Sequence, residues 1–298
     1  MAEGGLKDFV SLASELGDLK RVRDASSPDS VASRLFRRGW GALAAGQPVE
    51  EVAFGTTADA LAAARLGGID WAVLTGAGLS ENDAVDVLRR SYDEVTEPIE
   101  AELRGRLREF VAHGVLAGDA PDFVEALIRQ PRAGATCPGK PRLMLEPPEN
   151  HGDHCLVVAV LGCALAPQYQ ADPAQAFLAG MAHHLHNATL PDSGFAGETL
   201  LGDHLAPMLD RLFDRELQTM PHELGEATRQ ALGDIKEAQT PVGQAFHAAD
   251  VIDRVLQMRH FEQVAQFTAK QAVEELDLVH AGPVQEFHTS VLQEAGLP

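Results

Sequence analysis

Histidines and carboxylates in three separated stretches carry the chemistry this chain could perform. The first stretch is Glu149-Asn150-His151-Gly152-Asp153-His154, the second His183-His184-Leu185-His186-Asn187, and the third Ala248-Ala249-Asp250. Imidazole and carboxylate groups converging from a helical scaffold are the ligand set that borderline divalent metals favour, so His154, His183 and Asp250 are expected to meet at one ion. Such a set suits zinc, manganese, iron, cobalt and nickel alike. Eleven of the twelve histidines lie from position 151 onward, which concentrates the candidate ligands in the second half. Taken singly, each residue has a plainer reading. Asp250 can pair with Arg254 one helical turn on, and a solitary imidazole on an apolar helix is more often a hydrogen-bonded core group, as expected for His204, His222, His260, His280 and His288. Together, His154, His183 and Asp250 favour the metal.

The elements that must position these groups read as helices throughout, and the expected fold is an all-α multi-helix bundle. Ser27-Pro28 signals one helix start, Ser80 with Asp83 a second, and Asp119 with Pro121 a third. Arg34, Arg37 and Arg38 share the polar side of the first of these and are expected to be a solvated face. Five prolines and two glycines between Pro131 and Pro148 mark a connector without helical period. A domain boundary is therefore placed near residue 135, separating a helical region 1–135 of unknown role from a metal-binding unit 136–298. In that unit an apolar helix spans Asn150 to Ala166, and Asp172-Pro173 opens a second that ends in the histidine cluster. A loop follows from Gly194 to Gly202, then helices from Leu205 to Leu217, from Glu223 into the 230s, and from Thr240-Pro241 through Asp250. Two short helices broken at Gly282-Pro283 close the chain. On ideal helices His183 shares a face with His186 and Asn187, whereas His183 and His184 diverge by ~100° and can converge only over the last turn.

Composition narrows the partners. The net charge of -20, from 44 acidic and 24 basic residues, argues against a sequence-independent grip on nucleic acid, which depends on neutralising phosphates. Of the basic residues, 17 precede His151 and 7 follow Asn150. Three cysteines without a CxxC spacing and no secretory segment at the start fit a reduced cytoplasm. The longest apolar run, Leu156 to Ala166, is short of the roughly 20 residues a membrane helix needs. The expected partner is a small molecule, not a nucleic-acid polymer or a membrane, and the first half is left as a lid, a homodimer layer or part of one helical body.

The pattern Glu149-Asn150-x-x-x-His154, an apolar helix, a His pair ending a second helix, Pro191-Asp192 and Ala248-Ala249-Asp250 resembles the HD-domain superfamily of metal-dependent phosphohydrolases, and within it the 5'-deoxynucleotidase branch. The resemblance covers residues 140 to 298. It implies that His154, His183, His184 and Asp250 are the metal ligands. Two departures bear on the chemistry. The family's His-Asp dipeptide is His183-His184 here, and a neutral imidazole offers one lone pair where a carboxylate can bridge two ions, which argues for a single metal. The branch's water-activating glutamate is Asn187, which cannot act as a base, so Asp192 and His186 become the candidates for proton transfer. Lys140 and Arg142, just upstream of the first ligand helix, and Arg254, one turn after Asp250, are the candidate cations for a substrate phosphate.

These residues point to a mononuclear, metal-dependent phosphohydrolase acting on a small phosphorylated metabolite or nucleotide. Two alternatives stay open: an HD-like di-iron oxygenase using His186, His204 and His222 as extra ligands, and a non-catalytic HD-like module that binds a ligand or partner.

Overall fold

Polar side chains close helix starts across the chain: Ser30, Asp70, Ser80, Asn150 and Asp172 each accept a hydrogen bond from a backbone N–H in the first turn. A computed structural model describes residues 5–112, 115–144, 146–265, 268–275 and 277–298. In chain order the helices are α1 (Leu6–Asp18), α2 (Val31–Ala44), α3 (Val49–Leu66), α4 (Trp71–Gly76), α5 (Glu81–Val95), α6 (Ala101–Phe110) and α7 (Asp122–Arg129). After the connector come α8 (His151–Leu165), α9 (Pro173–Ala182), α10 (Gly194–Leu201), α11 (Leu205–Leu217), α12 (His222–Asp234), α13 (Pro241–Ala265), α14 (Ala269–Glu275) and α15 (Gln285–Ala295). Among the described residues there is no strand, only isolated bridges such as Pro131 with Asn150 and Ala135 with Leu143. The fold is all-α. Among the described residues, no helix is long and apolar enough to cross a membrane.

Two sequence expectations shift. The cap expected at Ser27 lies at Ser30, whose hydroxyl accepts from Ser33 N, so α2 starts three residues later than Pro28 suggested. The stretch Gly194 to Gly202, expected as a loop, is largely α10: Gly194 and Gly202, the two with positive φ, stand at its ends, and Gly197 winds within it.

Helix α8 is buried along its whole length, as an apolar helix without a polar face must be. Around it pack α2, α3, α9 and α13. Gly180 allows α9 to approach closely, since a Cβ there would stand 2.4 Å from Ala159 Cα. Asp153 binds α8 to α2 by accepting from the hydroxyls of Ser30 and Ser33, the latter at 2.7 Å. The composition change near residue 135 is a change of local structure, while one contiguous apolar core, including Phe36, Trp40 and Phe54 with Leu156, Phe177 and Phe246, crosses it.

Candidate metal centre

Three helices deliver the candidate ligands. His154 stands in the second turn of α8, Asp250 midway along α13, and His183 and His184 immediately after α9. Helix α9 stops at Ala182. His183 keeps near-helical angles as its C-cap, and His184, at φ −106° and ψ 16°, turns the chain into a 3₁₀ segment, Leu185–Ala188. The expected divergence of two neighbouring helical side chains therefore does not apply, and the two rings sit with centroids 4.3 Å apart. For the same reason His183 and Asn187 do not share a helical face. A ligand nitrogen from each of His154, His183 and His184 lies within 4.8 Å of the others. Asp250 Oδ1 stands 3.2 Å from His154 Nε2, out of alignment for a hydrogen bond.

Each imidazole has its Nδ1 engaged by an acceptor. His154 Nδ1 meets Asp253 Oδ2 at 2.7 Å, His183 Nδ1 meets the Gly180 carbonyl at 2.7 Å, and His184 Nδ1 meets Asn187 Oδ1 at 2.8 Å. An acceptor at Nδ1 places the proton there and leaves Nε2 as a lone-pair donor, which is how metal-binding histidines are oriented. Nε2 of both His154 and His183 is buried without a hydrogen-bond partner. Such atoms are costly unless something completes them, and a cation fits the donor set.

Electrostatics agree. Burial, and then the neighbouring imidazoles, push His183 down to about 3 and His184 well below the ordinary histidine value, so both rings are neutral. Burial alone would raise Asp250, but Arg254 and the His154 and His183 rings hold it well below the usual carboxylate range. Two neutral imidazoles, His183 and His184, thus stand beside one anion, Asp250.

The centre opens into a cavity of about 390 Å³ lined by His183, His184 and Asp250. Arg254 belongs to this wall, donating to Asp250 Oδ2 at 3.4 Å and to the Leu278 carbonyl at 2.7 Å. Asp192 also lines it, each oxygen accepting one backbone N–H at 2.9 Å, from Ala133 and from Gly194. His186 lies outside the lining with its ring against Phe213, and Asn187 is buried beside His184. His204 and His222 are exposed and away from the cavity, out of reach as extra ligands. Lys140 and Arg142, expected at the phosphate, are exposed on a short hairpin that turns at Gly139, where φ is 75°, and Arg142 only reaches the Ser193 carbonyl. Neither side chain lines the cavity, although Ala135, bridged to Leu143 in the same hairpin, does.

Several further groups belong to the site. Arg132, at the base of the hairpin, lines the cavity with Nη1 buried and without a hydrogen bond, 3.7 Å from Glu149 Oε2. His280 also lines it, stacked on Phe195 at 4.2 Å. His151 packs against His184 with centroids 4.6 Å apart, and burial lowers it to about 2. Its i, i+3 spacing from His154 could have flagged it. Lys20 and Asp253, discussed below, are 233 residues apart in the chain, beyond any local pattern. Compared with known proteins, the chain matches no family model, no curated protein and no solved structure.

Proposed function

We propose that this protein is a mononuclear metal-dependent phosphohydrolase, HD-like in its ligand order, that acts on a small phosphorylated metabolite. One observation carries the reading: three imidazoles fixed by their Nδ1 partners bring a ring nitrogen each within 4.8 Å of the others, His154 Nε2 stands 3.2 Å from Asp250, and His183, His184 and Asp250 line an open, arginine-bearing cavity. The lining carboxylates Glu149, Asp192, Glu198, Asp250 and Asp277 outnumber Arg132 and Arg254, so the neutral-histidine cavity is anionic and attracts a cation. Bound there, a divalent ion supplies Lewis acidity and lowers the pKa of water at the site. The protein's own groups do the rest. Arg132 and Arg254 hold the phosphate oxygens, and Arg132 Nη1, which has no hydrogen-bond acceptor, has a donor to spare. Asp192, held still by two amides, is placed to accept a proton, and Glu198, whose pKa is raised by desolvation in the wall, to return one to the leaving oxygen.

The exposed positions of His204 and His222 count against the di-iron alternative, which needs them as ligands. Elemental analysis of protein purified without added metal, with phosphate release from nucleoside monophosphates and sugar phosphates, tests the proposal. About one divalent ion per chain and metal-dependent release are expected. Iron with oxygen consumption would favour the oxygenase, and neither metal nor turnover the non-catalytic module.

A further inference from the structure

At the Nδ1 edge of the His154 ring lies a second arrangement of the kind that binds cations. Ligand atoms of Glu149, His154 and Asp253 all lie within 4.8 Å of one another. The position is taken. Lys20, just beyond the end of α1, inserts its ammonium between the two carboxylates, at 2.5 Å from Glu149 Oε1 and 2.5 and 2.7 Å from the two Asp253 oxygens. The Lys20 side chain is 2% exposed, Asp253 3% and Glu149 9%. An isolated lysine is almost never buried so deeply, because stripping its water costs several kcal/mol unless partners replace it. Three charge-assisted contacts to two anions use all three of its N–H donors. Glu149, Asp253 and Lys20 together carry one net negative charge; without Lys20 the two buried carboxylates would carry two, beside an imidazole already committed to Asp253.

We propose that the Lys20 ammonium is a built-in cation filling a second cation position at Glu149 and Asp253, so that the protein holds one divalent ion fewer than its carboxylates and imidazoles could ligate. The inference rests on the preceding reading only for the ion at His154, His183, His184 and Asp250. It also assigns a purpose to the first helix, which brings to the centre a charge that the acidic second half lacks.

The test is equilibrium dialysis of the full chain against Mn²⁺, a cation that accepts carboxylate oxygens, followed by elemental analysis of wild type, Lys20→Met and Lys20→Met/Glu149→Gln. Lys20→Met is expected to hold one more equivalent than wild type, and the double variant to return to the wild-type count. A purely structural ion pair moves neither count. Equal stoichiometry in wild type and Lys20→Met overturns the inference, as do two equivalents in wild type. No metal in wild type with one in Lys20→Met would remove the neighbouring centre and leave this inference standing. Should Lys20→Met fail to fold, Mn²⁺ is expected to restore it, and Lys20→Gln carries the same comparison. Failure of both to fold even with Mn²⁺ overturns the inference, since a bound ion should replace what the ammonium supplies.

Discussion

Asn187 stands where the resemblance places a water-activating acid, yet its side chain faces His184 instead of the cavity. Its Oδ1 accepts the His184 Nδ1 proton at 2.8 Å and its Nδ2 donates to the Leu190 carbonyl at 3.0 Å, with 4% of the residue exposed. Asn187→Ala removes both bonds. Losing a partner that orients a metal-binding imidazole typically weakens metal affinity by ~10–100-fold, which is about 1.4–2.7 kcal/mol. The stranded donor and carbonyl should lower folding stability by a further ~1–3 kcal/mol. Asn187→Asp keeps the acceptor and adds charge assistance, so its affinity should stay within a few-fold of wild type. Asn187→Glu is too long for the closed turn and should weaken metal binding without restoring a base. Competition against a chromophoric chelator near neutral pH measures affinity, and urea unfolding of the metal-free protein measures stability separately. An alanine variant with wild-type metal affinity but reduced stability would refute the reasoning, because Asn187 would then only close the turn and His184 would need no support to bind.

Arg132→Met should raise KM for a phosphomonoester by roughly 10–100-fold, the loss of a charge-assisted contact of about 1.5–3 kcal/mol, while Arg142→Ala changes it less than about two-fold; equal effects in steady-state kinetics would put the phosphate elsewhere. Gly180→Val would press on the Ala159 backbone, whose Cα lies 2.4 Å from an added Cβ, and is expected to cost about 3 kcal/mol in urea unfolding; a neutral result would mean that α8 and α9 can separate. Burial lowers His288 from 6.5 to about 4, so the unfolded chain binds its proton first: the stability this group supplies is complete above pH 6.5 and lost as pH falls through about 4. The loss approaches about 3 kcal/mol, and His288→Gln should flatten that limb of an unfolding-against-pH profile.

Local chemistry made much of this molecule legible in its sequence. Asn150 and Asp172 announce α8 and α9 because capping is a contact between a side chain and an amide two or three residues on. An apolar run with no polar face can only be a central helix, and α8 is one. The sequence could not show what happens where a helix stops. His183 and His184 read as one helical pair, but the chain leaves the helix between them, and that turn both joins their rings and aims Asn187 at His184. Lys140 and Arg142 are near His154 in the chain, but both are exposed and neither lines the cavity. Arg132 stands on the inner side of the same hairpin, and nothing in its neighbours' identities distinguishes inside from outside.

The charge asymmetry of the chain acquires a physical meaning at the centre. Seventeen of the 24 basic residues precede His151, and the two cations that meet Glu149, Lys20 and Arg132, both come from that part, whereas Asp250 and Asp253 come from the acidic remainder. His154 is the pivot between them. One ring nitrogen rests on the Asp253 carboxylate that Lys20 neutralises, and the other faces Asp250, which lines the cavity. A group that binds at Nε2 draws electron density from the ring and strengthens the Nδ1–H bond to Asp253, and a firmer Asp253–Lys20 pair holds Nε2 in place for that group. Linkage makes the coupling reciprocal: whatever free energy α1 docking adds to binding at the centre, binding returns to α1 docking. Lys20, just beyond the first helix, thus reaches His154 through Asp253, and the apolar core runs without a break across the change in composition.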